Sequence, residues 1–166
     1  MKSLLQSLLF LCMLLAGPAS AQRVAEDDAG FLRQAAHNGL AEVEASRLAL
    51  QKAEDARVRA YARQMVEEHT RAHEALAQLA GERGVALPQA PDATQQAKLQ
   101  ALGALDGAAF DARYVEEMGV KAHEQTIALF QRGASNARDP QIKAFASGQL
   151  PVLQRHLDRA RELRRN

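Results

Sequence analysis

Four residues of types that bind metal ions or move protons lie on the apolar faces of the predicted helices. They are Glu42, His69, His123 and His156. At about 100° of rotation per residue, His69 and His156 fall in the middle of apolar stripes, whereas His123 falls toward the edge of one. Glu42 lies among small residues, where a buried carboxylate is costly unless it is paired. The pattern predicts one inward carboxylate and three inward imidazoles, one on each of four helices.

Two interpretations of this cluster are open. In the first, Glu42, His69, His123 and His156 bind a divalent metal such as zinc, copper or iron, for which imidazole and carboxylate ligands are suited. In the second, Glu42 accepts hydrogen bonds from the histidines. The four side chains then form a buried polar network that fixes the helix register without a metal.

Two further residues are additional candidate ligands. His73 lies one turn after His69, so that both rings could chelate one ion from the same helix face. Glu116 is a candidate second inward carboxylate. However, the sequence contains no Glu-x-x-His motif, which is the ligand pattern of di-iron carboxylate bundles. The sequence therefore argues against ferritin-type iron oxidation, keeps a histidine-rich zinc or copper site as an alternative, and favours the metal-free network.

Four long helices must position these residues. The chain is rich in Ala, Leu, Gln, Glu and Arg, which favour helix. Helical periodicity of apolar residues extends over residues 28–52, 54–83, 106–132 and 139–163. Gly84 and Gly133 are predicted to end the second and third helices. Asp139 followed by Pro140 is typical of a helix start.

The connections between the helices predict the topology. Short turns near Ala53 and at residues 135–136 make each pair of flanking helices antiparallel neighbours. Residues 84–105 form a long crossover that includes a short helix at 94–102. In addition, residues 55–62 and 139–146 resemble each other, which places each copy at the start of the second helix of its hairpin. The predicted fold is all-α, a ferritin-like four-helix bundle of two antiparallel hairpins joined by a crossover.

The N-terminus has the pattern of a secretory signal peptide. Lys2 precedes an apolar run over residues 4–16, and Ala19-Ser20-Ala21 forms a small-x-small cleavage site. The run is too short to span a membrane. We expect cleavage after Ala21, a bacterial periplasmic location, and a mature domain of residues 22–166 without a transmembrane segment. The balance of 21 Lys and Arg against 20 Asp and Glu excludes a broadly basic nucleic-acid-binding protein.

The sequence resembles the domain-of-unknown-function 4142 family. The matching stretches are Asp28-Ala29-Gly30-Phe31-Leu32, Gly39-Leu40-Ala41-Glu42-Val43, Tyr61-Ala62-x-x-Met65-Val66-x-x-His69, Phe110-Asp111-x-x-Tyr114-Val115-x-x-Met118 and Leu150-Pro151-x-Leu153-x-x-His156-Leu157. The resemblance implies an exported bacterial protein with a ferritin-like bundle. It also implies an inward acid at Glu42 and inward histidines at positions 69, 123 and 156. At Glu68 the family more often has Asp, and a histidine at position 73 departs from the family pattern.

Two functions from different classes follow as expectations. The first is a non-enzymatic exported bundle that acts in envelope maintenance or stress tolerance by binding an envelope partner or a small ligand. The second is a metal-binding or metal-dependent redox protein that uses the Glu/His cluster. The sequence contains no nucleotide-binding loop, nucleophile elbow or paired cysteines that would indicate an enzyme of those classes. The basic cluster near the C-terminus stabilises a helix end or contacts an anionic surface; it comprises Arg155, Arg159, Arg161, Arg164 and Arg165.

Overall fold

The computed structural model describes residues 24–165, and these residues form helices joined by short connections. The predicted signal peptide, residues 1–21, lies outside the described residues. The elements are α1 (Glu26–Lys52), α2 (Ala56–Glu82), α3 (Ala93–Gly103), α4 (Gly107–Tyr114), a π-helical segment π1 (Val115–Ala122), α5 (His123–Asn136) and α6 (Pro140–Arg165). Because α4, π1 and α5 follow one another without interruption, we call them together the α4–π1–α5 rod.

The long helices form the predicted all-α four-helix bundle. Helix α1 packs against α2 and against the α4–π1–α5 rod, and α6 packs against the same rod and against α2. Adjacent helices run antiparallel, so the chain leaves α2 at one end of the bundle and enters α4 at the other. The crossover therefore travels the length of the bundle, and its short helix α3 packs on α1 and α4.

Two carboxylates hold the turns at opposite ends of the bundle. The buried carboxylate of Asp28 accepts hydrogen bonds from the backbone N–H groups of Arg138 and Asp139 at 2.8–3.1 Å. At the other end, Asp111 accepts a hydrogen bond from the backbone N–H of Asp55 at 2.8 Å. Each carboxylate satisfies donors of the turn that would otherwise lose water on folding. The two hairpins are thereby locked to each other at both ends.

The sequence repeat marks the starts of α2 and α6. The Asp55 side chain accepts a hydrogen bond from the backbone N–H of Arg57 at 2.7 Å. Asp139 accepts hydrogen bonds from the N–H groups of Gln141 and Ile142 at 2.8 and 3.1 Å. Both aspartates are N-caps, which satisfy the exposed donors of a first helical turn. This explains why the same sequence pattern recurs at the two positions.

Gly133 does not end its helix as predicted. Helix α5 continues to Asn136, and Gly133 packs against the ring of Phe31 from α1. A Cβ atom at Gly133 would lie 2.7 Å from that ring, so the glycine is required for a close approach of two helices. By contrast, Gly84 follows α2 with a φ of 64°, as a glycine that ends a helix does.

The core consists of two apolar clusters with a polar layer between them. One cluster contains Tyr61, Met65, Tyr114 and Leu157; the other contains Phe31, Leu76, Phe130 and Leu153. His69 lies between Met65 and Leu76 along α2, and His156 lies between Leu153 and Leu157 along α6. The layer of histidines therefore sits in the middle of the bundle, where the two apolar halves meet.

Candidate metal centre

Three histidines meet in the middle of the bundle. His69 comes from α2, His123 is the first residue of α5, and His156 comes from α6. Their side chains are buried, with exposed fractions of 7%, 1% and 2%. The ring centroids lie 5.3–5.5 Å apart. Each ring offers one nitrogen to a set in which all three atoms lie within 4.8 Å of one another.

The outward contacts of two rings determine where their protons lie. Nδ1 of His123 is 3.0 Å from the carbonyl oxygen of Met118. Nε2 of His156 is 2.8 Å from Oε2 of Glu68. A carbonyl and a carboxylate only accept hydrogen bonds, so each of these ring nitrogens must carry a proton. In the neutral rings, the lone pairs therefore lie on Nε2 of His123 and Nδ1 of His156.

One nitrogen of each of the three rings is buried without a hydrogen-bond partner. Within residues 24–165, this holds for Nε2 of His69, Nε2 of His123 and Nδ1 of His156. We call these three atoms the free ring nitrogens. A buried polar atom without a partner costs about 1–3 kcal/mol of folding free energy, and such atoms are rare in native proteins. Three of them on rings that contact one another are the arrangement expected of a metal site, in which a metal accepts three lone pairs at once.

Burial and neighbouring charges set the protonation of the rings. Burial, followed by the neighbouring rings of His123 and His156, lowers the pKa of His69 well below its usual value. Burial also lowers the pKa of His156, although the Glu68 carboxylate opposes this shift. For His123, burial alone would lower the pKa, but the carboxylate of Glu42 outweighs it and the pKa is raised. His69 and His156 are therefore neutral at neutral pH and offer lone pairs, and His123 holds its proton most strongly.

The π-helical segment π1 turns His123 inward. A π-turn contains one more residue than an α-turn, and each additional residue rotates the following side chains by about 100°. Uninterrupted α-helical periodicity therefore predicts the wrong direction for His123, toward the edge of the apolar stripe. Gly119 lets π1 approach α6, because a Cβ atom there would lie 2.8 Å from Cβ of Ala160. The residues of π1 form no motif that distinguishes a π-helix from an α-helix in the sequence.

Glu42 lies in the same layer as a neighbour of His123. Its Oε1 is 3.1 Å from Nδ1 of His123, and its exposed fraction is 4%. The proton on Nδ1 points at the Met118 carbonyl, so neither carboxylate oxygen of Glu42 has a hydrogen bond within the described chain. In addition to burial, the charge of Glu42 raises the pKa of Tyr61. Glu42 is thus inward, as predicted, but it approaches one histidine through the nitrogen that is not free.

Glu68 is a site residue that the sequence analysis did not identify. By helical rotation it lies beside the apolar stripe of α2, where a side chain is expected to point away from the core or sideways. In the structure it is 29% exposed and holds His156. The Glu68 pKa is lowered because its hydrogen bonds from His156 and Gln64 outweigh the opposing effect of burial. The family pattern, which has an acid at this position, was the one available signal.

The two additional candidate ligands have different surroundings. His73 is half-buried, and its Nδ1 has no hydrogen-bond partner among the described residues. Its side chain lines a cavity of about 40 Å³ together with His69 and His156. Glu116 is not brought to the histidines. It lies at the surface in ion pairs with Arg164 at 3.2 Å and Lys121 at 3.5 Å, so it does not supply the second inward carboxylate that was expected.

Part of the C-terminal basic cluster is engaged in ion pairs. Arg161 pairs with Glu124 at 2.8 Å, and Arg164 pairs with Glu116 as described above. These pairs join α6 to the α4–π1–α5 rod. They are exposed, so each contributes about 1 kcal/mol or less to stability. The contact of this cluster with an anionic surface remains a prediction.

Within residues 24–165, none of the helices combines the length and the apolar character that crossing a membrane requires.

A family model described as Domain of unknown function (DUF4142) matches residues 14–163. The chain belongs to this family. The match includes all four helices of the bundle and all three histidines of the cluster. No curated protein matches the chain.

Solved structures with the same fold come from proteins of low sequence identity. A DUF305 fragment from Deinococcus radiodurans superposes with a TM-score of 0.74 at 13% identity, covering 86% of the DUF4142 chain and 99% of the fragment. A DUF305 protein from Streptomyces coelicolor gives 0.70 at 18% identity, with coverages of 84% and 93%. CopM in its Cu(II)-bound form gives 0.67 at 15% identity, with coverages of 84% and 96%. At these identities the similarity establishes the fold alone.

Proposed function

We propose that the protein binds one transition-metal ion through Nε2 of His69, Nε2 of His123 and Nδ1 of His156. The observation that carries the proposal is the presence of three buried, free ring nitrogens on rings that contact one another. A metal ion accepts all three lone pairs and removes the cost of burying them without partners.

A metal-free polar network explains the same residues less well. Such a network requires Glu42 to accept hydrogen bonds from the histidines. Instead, the proton on Nδ1 of His123 is directed to Met118, and His156 donates to Glu68. The free nitrogens of His123 and His156 then carry lone pairs that face the ring of His69, and no hydrogen-bond donor of the described chain reaches them. An additional proton on His123, whose pKa Glu42 raises, would supply one donor and pair at most two of the three free ring nitrogens, so the third would stay without a partner.

The ligand set favours copper or zinc over other metals. Neutral imidazole nitrogens suit these ions, whereas magnesium and calcium prefer oxygen ligands. For a fixed set of nitrogen ligands, divalent copper binds more tightly than zinc. The Cu(II)-bound form of CopM, which has a similar fold, also supports copper as the first metal to test. Iron is disfavoured because none of the three mutually close ligand atoms belongs to a carboxylate.

Groups behind the ligands support metal binding by orienting the rings. Glu68 accepts the Nε2 proton of His156, and the Met118 carbonyl accepts the Nδ1 proton of His123. Such contacts fix the ring tautomer and increase the basicity of the ligating nitrogen. Glu68→Gln should therefore weaken metal binding by about 10–100-fold while leaving the stoichiometry at one.

The decisive experiment is metal titration of the mature protein. Residues 22–166 are purified, treated with a chelator, and titrated with Cu(II) and Zn(II) against a chromophoric competitor. We expect one site per chain, and nitrogen hyperfine structure in the electron paramagnetic resonance spectrum of the Cu(II) form. Replacing any one of His69, His123 and His156 by Ala should reduce the affinity for Cu(II) and Zn(II) more than about 100-fold. Losing a group that only orients a ligand has an effect of up to about 100-fold.

His37→Ala is the matched control for these variants. His37 lies on α1 outside the cluster, with Nδ1 2.9 Å from the carbonyl oxygen of Ala90. This variant should bind metal as the wild type does. The proposal is wrong if His37→Ala and His69→Ala have the same effect, or if circular dichroism shows a folded protein that takes up no metal.

For location, we propose that this binding occurs after export to the periplasm. The proposal is supported by the signal-peptide pattern of residues 1–21. A periplasmic protein with a buried copper or zinc site is suited to binding metal during envelope stress. This role combines the stress-tolerance function and the metal-binding function expected from the sequence. N-terminal sequencing of the protein from a periplasmic fraction should find residue 22 first; an intact N-terminus in the cytoplasm would contradict export.

A further inference from the structure

The histidines of the candidate metal centre come from three helices, and the cavity beside His69 and His156 is lined in part by the fourth helix, α1. Helices α2, α5 and α6 each supply one histidine. Helix α1 faces the same layer with Ala35, Gly39 and Glu42, which line the cavity of about 40 Å³ that reaches His69 and His156. From α2 the same cavity is lined by Glu68 and by His73, whose Nδ1 has no hydrogen-bond partner within residues 24–165; from α1 it is bordered by two small residues and one carboxylate.

We infer that the fourth coordination position of the metal opens into this cavity and takes a small exchangeable donor, water in the resting protein. The inference rests on the metal binding proposed above. Metal sites with three protein ligands and an open fourth position bind and exchange outside molecules, whereas structural sites are closed by four protein ligands. A cavity of about 40 Å³ has room for water or a small inorganic ion.

Glu42 favours water as the resting occupant. The carboxylate lines the cavity, and neither of its oxygens has a hydrogen bond within residues 24–165. A bound water has protons to donate to such a group, which would satisfy the buried carboxylate. An anion in the same place would be repelled by Glu42. Replacing Glu42 by Gln should therefore strengthen anion binding at the metal, because it removes the like charge.

Gly39 keeps the cavity open. It lies in the middle of α1, where glycine costs a helix about 1 kcal/mol relative to alanine. A Cβ atom built on Gly39 would meet no atom of the described chain within 4 Å, so close packing does not require the glycine. A larger side chain at this position would extend into space that borders the cavity. Gly39→Leu is therefore a variant that narrows the cavity without touching a ligand.

Azide is the probe for an exchangeable position. The Cu(II)-loaded protein is titrated with azide, and the azide-to-copper charge-transfer absorption is recorded. In the wild type we expect a saturable band. Gly39→Leu should keep stoichiometric copper binding but weaken azide binding at least tenfold, and Glu42→Gln should strengthen it. Gly148→Leu is the matched control, because Gly148 is an exposed glycine of α6 that does not line the cavity, and it should respond as the wild type does.

Several outcomes would overturn the inference. Equal azide affinity in Gly39→Leu and the wild type would show that azide does not reach the metal through the cavity. A copper-loaded wild type that gives no azide band would overturn the inference, and a band in His73→Ala would then show that His73 closes the fourth position. If Gly39→Leu does not fold, Gly39→Ala serves instead and should still weaken azide binding. Failure of the wild type to bind copper at all would refute the proposed function itself, and is measured first.

Discussion

Replacing His69 by leucine should stabilise the metal-free protein while abolishing its metal site. The free Nε2 of His69 is buried without a partner within the described chain, which costs about 1–3 kcal/mol. Leucine has a similar size and no polar atom to bury, and the adjacent cavity relieves any misfit. We therefore expect a gain of about 1–2 kcal/mol in the free energy of unfolding. For a domain of this length, that gain raises Tm by about 3–8 °C.

The other two histidines should respond differently, because their second nitrogens are engaged. His123→Leu removes the hydrogen bond to Met118 and leaves the buried carboxylate of Glu42 without a nearby cation. Breaking such a buried pair costs about 3–5 kcal/mol. His156→Leu frees Glu68, which remains 29% exposed and can be hydrated, so we expect a stability within about 1 kcal/mol of the wild type. The predicted order of stability is His69→Leu, then His156→Leu, then His123→Leu.

Urea denaturation of the chelator-treated mature proteins, followed by circular dichroism, measures these differences. A second series contains copper at 100 times its dissociation constant, which should stabilise the wild type by about 2.7 kcal/mol and leave His69→Leu unchanged. A loss of more than 1 kcal/mol in metal-free His69→Leu, with the denaturant slope unchanged, would refute the reasoning. It would show that the imidazole of His69 has hydrogen-bond partners in the metal-free protein, as the polar-network interpretation requires.

Further predictions concern the framework that holds the site. Gly119→Ala should lower the free energy of unfolding by about 1–3 kcal/mol, because its Cβ would lie 2.8 Å from that of Ala160. Thermal melts of Gly119→Ala, Ala160→Gly and the double variant measure the effect. The double variant should lose less stability than the sum of the two single losses. Asp139→Ala should cost about 1 kcal/mol at pH 7. The Asp139 pKa is lowered because its hydrogen bonds from Arg83 and from backbone N–H groups outweigh burial, so its contribution is present above the unfolded pKa of about 3.9 and is lost as the pH falls below it. The difference between Asp139→Ala and the wild type should therefore decrease in denaturation curves as the pH falls from about 5 to about 2, and a constant difference would contradict this assignment. Asp28→Ala should cost about 3 kcal/mol in urea denaturation, because it leaves two backbone N–H groups without their acceptor; a loss below 1 kcal/mol would show that water replaces the carboxylate.

Local spacing along the chain was sufficient to define the helices and their connectivity. Apolar periodicity located the long helices within a few residues, because a helix must bury one stripe of its surface. Short turns and a long crossover then left few arrangements, and the four-helix bundle is confirmed. The inward positions of His69 and His156 followed from the same periodicity. These features depend on local spacing, which a sequence displays directly.

Tertiary packing decided the chemistry of the site. The π-turns before His123 lie where Gly119 packs against Ala160 of α6, and α-helical periodicity cannot show a change of helical pitch. Pairing of His156 with Glu68 depends on the position of α2 beside α6, so an acid at the edge of a stripe became a site residue. Glu116 pairs with Arg164 at the surface because α6 lies beside the α4–π1–α5 rod. Which nitrogens remain free is a property of contacts between helices, and only the folded chain brings those helices together.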